Sequence, residues 1–367
     1  MSTQTLPARR SLRSYQRPLV LLLGGMAIFY VFWFTSRYPS LFSKADHLAK
    51  GDDVASMAWG SARFMVDAAA PLWQQILYGA FNWLDGMKVG MTFGVLFGAL
   101  LHTVLHYSPL KLGKNTYLNS LTGAVIGAPM GVCANCSVPA ACGLTRGRGR
   151  AETALGFIFS SPNFNPVVLS MTFAALPLAV SLTKVGMLLL LILFVVPFSI
   201  RAIERKEGLL PQSGGMDLDD MPGASSAAGE ESFGPMLLNL LKRYLSGVWG
   251  LARSTIALMI LASLVASALL TLIDWQSLLA TATPLKLGLV ALVSTFMPVP
   301  IALDVMFAAQ LGRQGVSQAY VMLFALTLGT FSIVPVTWLW REISPRLAVL
   351  LFGFIMLCGW LAAMLVA

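Results

Sequence analysis

The sequence predicts an all-α fold: a polytopic transmembrane helical bundle of about ten segments, in two structurally related repeats with broken helices. Three observations carry this. The 367 residues are 57% hydrophobic and 11% charged, whereas soluble domains carry about 25% charged residues. A chain this apolar cannot cover itself with polar surface, so its solvent is lipid. The apolar residues fall in long continuous runs, which argues against the short alternating segments of a β-barrel. Finally, a Val-Pro, a Gly-Arg and a polar helix-breaking stretch occur in the same order in each half.

The first run, 18–36, follows Arg9, Arg10, Arg13 and Arg17. It is long enough to span, and no small-residue cleavage site follows it. It reads as an uncleaved helix with a cytoplasmic N-terminus. Residues 37–62 are mixed in charge and read as an extracytoplasmic loop. The run 63–84 holds Asp67, Gln74 and Gln75 and reads as shallow or re-entrant. Further apolar runs follow at 87–107, 118–143, 151–180 and 183–203, each near the roughly 20 residues a crossing needs. Residues 204–232 are rich in Gly, Ser, Pro and acid, the composition of a disordered cytoplasmic linker. Residues 233–244 read as an amphipathic interfacial segment. The remaining runs are 246–273, 285–311, 316–340 and 346–366. The organisation is therefore 1–203, a membrane half with the first repeat; 204–232, the linker; and 233–367, a membrane half with the second.

The net charge is +9. The basic residues lie in loops, and no basic face with interleaved aromatics stands outside the membrane, so no nucleic-acid partner is expected. Arg146, Arg148, Arg150, Arg201, Arg205, Lys206, Lys242 and Arg243 fit the positive-inside rule if all ten segments cross. Lys111, Lys114, Arg341 and Arg346 then fall outside.

In the first half, Cys136-Ser-Val-Pro139 precedes Gly147-Arg148 and then Ser160 to Pro166. In the second, Met297-Pro-Val-Pro300 precedes Gly312-Arg313 and then Thr327 to Pro335. This pairs Pro139 with Pro300, and Gly143 with Asp304. Weak internal repeats are common in secondary transporters, whose substrate sites lie between the repeats on broken helices. The segment count favours parallel repeats; one re-entrant segment would invert them.

Proline inside a spanning helix removes a hydrogen bond and frees backbone groups, which in lipid must find partners or line a wet cavity. Pro129 and Pro139 interrupt one run, Pro162 and Pro166 the next, and Pro298 and Pro300 another. Near them lie Asn135, Ser137, Ser160, Ser161, Asn163 and Asn165. Asp304 follows Pro300, and an Asp at membrane depth marks a functional site unless it caps a helix at the interface.

Of the four cysteines, Cys358 reads as a small core residue. Cys133 and Cys136 are spaced to share a helix face; Cys142 lies beyond Pro139. Thiolates select soft centres such as Cu(I), Zn, trivalent arsenicals and Hg(II). A closed structural zinc site is not expected without a second C-x-x-C. The alternative is that small residues here allow close helix packing.

Residues 132–169, VCANCSVPAACGLTRGRGRAETALGFIFSSPNFNPVVL, resemble the signature region of the predicted permease family that includes the bacterial organoarsenical (methylarsenite) efflux permeases. That family shows C-S-C-G-x-x-P, a short basic Gly loop, then A-x-x-F-x-x-S/A-S-P-x-x-N-P. Cys133, Pro139, the Gly147–Arg150 loop, Ala154, Phe157, Ser161, Pro162, Asn165 and Pro166 match. Asn135 stands at the second Cys position, and Cys136 at the Gly position. The resemblance implies efflux of a soft thiol-reactive species across a bacterial inner membrane.

On this reading Cys133, Asn135, Cys136, Ser137, Pro139, Ser161, Pro162, Asn163, Asn165, Pro166, Pro300 and Asp304 form the substrate site, with Cys133, Cys136 and Cys142 as candidate soft-ion ligands. Partners are the bilayer and a small-molecule or metal(loid) substrate, with room for a homo-oligomer; no cofactor is expected. The absence of G-x-x-x-x-G-K-[ST] argues against ATP hydrolysis by this chain. A permease for a small sulfur-containing metabolite and a membrane thiol oxidoreductase are the alternatives.

Overall fold

The computed structural model describes residues 16–52, 63–67, 69–107, 112–147, 149–207 and 232–367. The first fifteen residues, Lys111, Arg148 and most of the linker (208–231) lie outside the described residues. The helices are α1 (Gln16–Phe32), α2 (Tyr38–Lys50), α3 (Leu72–Tyr107), α4 (Thr116–Gly127), α5 (Ala134–Arg146), α6 (Ala151–Asn163), α7 (Pro166–Ala175), α8 (Leu178–Leu190), α9 (Val196–Glu207), α10 (Phe233–Leu272), α11 (Trp275–Leu279), α12 (Pro284–Phe296), α13 (Leu303–Arg313), α14 (Gln318–Thr327), α15 (Ile333–Glu342) and α16 (Pro345–Met364). Among the described residues, five helical stretches are long and apolar enough to cross a membrane: 16–50, 72–107, 178–206, 233–272 and 345–364. Three of the five (72–107, 233–272 and 345–364) match single helices, while 16–50 and 178–206 each join two through a π-helical turn, at Trp33–Arg37 and Leu191–Val195.

Several boundaries differ from the sequence reading. The 37–62 loop begins as helix α2, because Leu41 and Leu48 share a face and are buried. The runs 63–84 and 87–107 merge into α3. Asp67 precedes that helix, exposed, and accepts from the Ala69 N–H at 2.9 Å. The segment 233–244 forms the first turns of α10 and runs without a break into the 246–273 run.

Contacts fix the direction of each element. Arg17 and Arg243 both lie over the Tyr107 ring, so the starts of α1 and α10 meet the end of α3. Gly79 faces Ser267, so α3 and α10 run antiparallel. Along α5, Gly94 meets Cys136, Gly98 meets Pro139 and Leu105 meets Gly147; α5 therefore runs parallel to α3. Gly123 faces Thr153 and Gly127 faces Phe157, so α4 runs parallel to α6. The pair α4–α5 thus enters the bundle and returns to the same end. Arg146 pairs with Glu342 at 3.4 Å, and Arg150 with Glu204 at 3.7 Å, which brings the ends of α15 and α9 to that end too.

The second set is inverted. Trp360 Nε1 donates to Pro284 O at 2.9 Å, and the Tyr320 hydroxyl donates to Leu278 O at 2.8 Å. The starts of α12 and α14 therefore lie at the end where α16 finishes, opposite Glu342. The hairpin α12–α13 enters and leaves there. The segments 118–143 and 285–311 are thus re-entrant hairpins from opposite ends, and α6–α7 and α14–α15 are broken crossings. This reverses the parallel arrangement that the segment count favoured. It also moves the misplaced charges: Lys114, Arg341 and Arg346 join the other basic residues at one end, called here the basic end.

The repeat register changes as well. Helix starts Thr116, Ala134, Ala151 and Pro166 correspond in order to Pro284, Leu303, Gln318 and Ile333. Pro129 then matches Pro298, and Asn135 matches Asp304, each the second residue of its half-helix. The pairing of Pro139 with Pro300 does not hold: Pro139 lies inside α5, whereas Pro300 lies in a break.

Candidate substrate site

Four half-helices, α5, α7, α13 and α15, begin near the middle of the bundle. The breaks before α5 and α13 free backbone groups, and the freed groups find side-chain partners. In the first break, Ala128 O accepts from Asn165 Nδ2 (3.4 Å), Pro129 O from the Tyr38 hydroxyl (3.2 Å) and Met130 O from Trp33 Nε1 (2.9 Å). The Val132 N–H donates to Ser161 Oγ at 3.2 Å. In the second, Pro298 O accepts from Trp83 Nε1 (2.9 Å), Val299 O from Asn135 Nδ2 (3.5 Å) and Ile301 O from Lys44 Nζ (2.8 Å). Non-helical backbone at membrane depth is tolerated on these terms. Gly131 (φ +59°) and Ala302 (φ +66°) make the turns into α5 and α13 in the left-handed region.

Cys133 caps α5: its sulfur accepts from the Cys136 N–H at 3.3 Å, and the two sulfurs lie 2.7 Å apart. Both residues are buried. Cys136 fits against α3 because Gly90, Gly94 and Gly98 leave room. A methyl on Gly90 would sit 2.8 Å from Cys136 Sγ and 3.1 Å from Arg37 Nη2, so the guanidinium and this thiol are near neighbours. A methyl on Gly94 or Gly98 would collide with the α5 backbone. Such small-residue stripes let membrane helices approach closely.

Asn135 bridges the repeats, since its Oδ1 also accepts a short hydrogen bond from Ser332 Oγ at the start of α15. Its counterpart Asp304 forms a buried ion pair with Lys184 of α8. Lys184 is 2% and Asp304 7% exposed, so each charge depends on the other.

The other expected residues divide. Ser161 and Asn165 brace the first break, Pro162 and Pro166 flank the break between α6 and α7, and Pro300 lies in the second break. Ser137 and Asn163 donate to carbonyls of their own helices, Ala134 O (2.7 Å) and Phe159 O (3.0 Å). Cys142 does not join the sulfur pair. It is about 9 Å further along α5 than Cys136 at 1.5 Å per residue, buried where Trp338, Arg146 and Glu342 lie. Among the described residues, no three His, Cys, Asp or Glu side chains gather as a metal site.

Sequence reasoning missed Arg37, Lys44, Lys184 and Ser332. A lone lysine in the apolar run 183–203 is the same signal that marked Asp304. Arg37, Leu41, Lys44 and Leu48 recur at the spacing of one helix face, a pattern hidden by reading 37–62 as a loop.

A family model described as a predicted permease (ArsP_1) matches residues 89–367. No curated protein and no solved structure matches the chain.

Proposed function

The chain belongs to the predicted permease family ArsP_1, and on that premise we propose that it is a secondary-active permease exporting a soft, thiol-reactive metal(loid) species such as a trivalent organoarsenical. The observation that carries this reading is the contact between the Cys133 and Cys136 sulfurs at the start of a half-helix in the middle of the bundle. Two adjacent thiols are a soft ligand pair, and transporter sites lie at such half-helix starts between inverted repeats. The 1–203 and 233–367 halves are the two moving bodies on this reading. Asp304 carries the coupling charge and exchanges Lys184 for a proton or ion during the cycle. The positive-inside rule assigns the basic end, and with it the N-terminus and the 204–232 linker, to the cytoplasm of a bacterial inner membrane.

The test is resistance in a sensitive bacterial host challenged with methylarsenite, arsenite, Hg(II), Cu and Zn. The native chain protects against at least one. A Cys133→Ser, Cys136→Ser variant that still reaches the membrane loses that protection. No protection against any of the five sinks the reading; equal protection by both chains removes the thiols from it. The sulfur contact also suits a dithiol–disulfide couple. That second reading requires turnover-dependent loss of alkylatable thiol at both positions.

A further inference from the structure

Helix α2 lies outside the residues that the family model matches, yet it faces both breaks. Three cations follow one another beside it: Arg37 just before its start, Lys44 within it, and Arg313 of α13 against its last turn. Arg37 sits beside Cys136, with its Nε buried and without a hydrogen-bond partner. Lys44, about 10 Å further on at 1.5 Å per residue, holds Ile301 O in the second break. Arg313 donates to Leu48 O at 3.2 Å, at the end opposite the basic end. Between α2 and α7 lies a cavity of about 630 Å³, lined by Ala45, Leu48, Ala49, Pro166, Ser170 and Arg313 among others.

The acids near this track are already engaged. Asp304 pairs with Lys184, Asp46 with Lys50 and Asp52 with His47. Among the described residues no carboxylate lies within ion-pair distance of Arg37, Lys44 or Arg313. Arg37 and Lys44 are half-buried inside the bundle, where a cation without a counter-charge is expensive and marks an ion pathway, and Arg313 is exposed where that line reaches the opposite end. Of the three, Arg313 lines the cavity, and like-signed charges spaced from it toward the thiols concentrate the opposite charge along that line.

We infer that the route between the thiol pair and the opposite end conducts an anion: the cargo carries a negative charge, which Arg37, Lys44 and Arg313 take in turn. This rests on the proposed function only for the thiols at its inner terminus. The experiment measures transport in membrane vesicles containing the full chain, with three probes. They are phenylarsine oxide, which is neutral; its 4-carboxylate analogue; and thiosulfate, a soft inorganic anion.

The native chain carries the carboxylate analogue about tenfold faster than the neutral compound, and Arg37→Gln lowers that ratio about tenfold. Lys44→Gln lowers it less, and Arg37→Lys restores most of it. A ratio near one in the native chain, or a ratio that neither substitution moves, overturns the inference while leaving soft-metalloid export standing. Carriage of thiosulfate but of neither arsenical supports the anion route and overturns the metalloid reading. Carriage of no anionic probe overturns the anion route.

Discussion

The two helix breaks that open onto the middle of the bundle occupy matching places and carry opposite chemistry. The first leads into α5 through Gly131 and presents Cys133, Asn135 and Cys136, a soft group. The second leads into α13 through Ala302 and presents Asp304 locked to Lys184. At the equivalent position, an amide in one repeat is a carboxylate in the other. The amide needs only hydrogen bonds, which Val299 O and Ser332 Oγ supply. The carboxylate needs a full counter-charge, and a lysine from the other half supplies it. On the proposed reading, a symmetric scaffold thus holds substrate chemistry on one side and coupling chemistry on the other.

The largest expected effect comes from breaking the charged side. Asp304→Ala leaves Lys184 buried without a partner, and removing one member of a buried pair costs about 3–5 kcal/mol. Thermal unfolding in detergent checks this. Asp304→Leu combined with Lys184→Met regains most of that stability and transports nothing if the pair couples flux to an ion gradient. A double variant as unstable as the single one would show that the pair is not an isolated unit.

Next comes the soft side. Gly98→Val drives a side chain into the Pro139 carbonyl and pushes α5 off α3, at a cost of about 2–3 kcal/mol. Gly86→Ala on the same helix meets nothing within 4 Å and leaves melting unchanged. Equal effects at the two glycines would mean that α3 does not position the thiols.

A smaller, opposite change is expected at the second turn. Ala302 has a left-handed backbone conformation that glycine adopts without strain, so Ala302→Gly raises stability by about 0.5–1 kcal/mol. A loss of stability would show that the Ala302 methyl is held by packing.

The smallest effect concerns the ends of the two repeats. At the basic end Arg146 pairs with Glu342, half-buried, between α5 and α15. At the opposite end the matching helix ends carry Arg313 and Ala175, which line the cavity instead of pairing. Glu342→Gln costs under about 1 kcal/mol of stability. On the transport reading it makes cysteines placed near Arg146 more accessible to a membrane-impermeant thiol reagent. Unchanged labelling would remove the pair as a latch.

Much of this was legible in the residues. The prolines around them draw attention to Asn165 and Ser161, and in the structure both side chains bond to backbone of the first break. Asp304 was marked by the cost of its charge, and the charge is paired. Ser137 and Asn163 were marked by the same rule but satisfy their own helices, because a hydroxyl or amide can bond back to a carbonyl three or four residues away. Cys142 was grouped with its neighbours by sequence distance, and helix rise carries it away from them. Lys44 was lost because a helix with charges on its outer face reads like a loop.

By itself the sequence determined that the chain lives in lipid, that its helices break near the Pro129, Pro166 and Pro298 positions, and which thiols share a turn. Long apolar runs, prolines and helical spacing are local properties, and local properties fix those outcomes. Only the tertiary structure decided whether a broken helix continues across the bundle or turns back. After a proline break the chain has no internal hydrogen bond to set its direction. The choice falls to whichever neighbour packs closest, and for α5 that neighbour is the glycine face of α3.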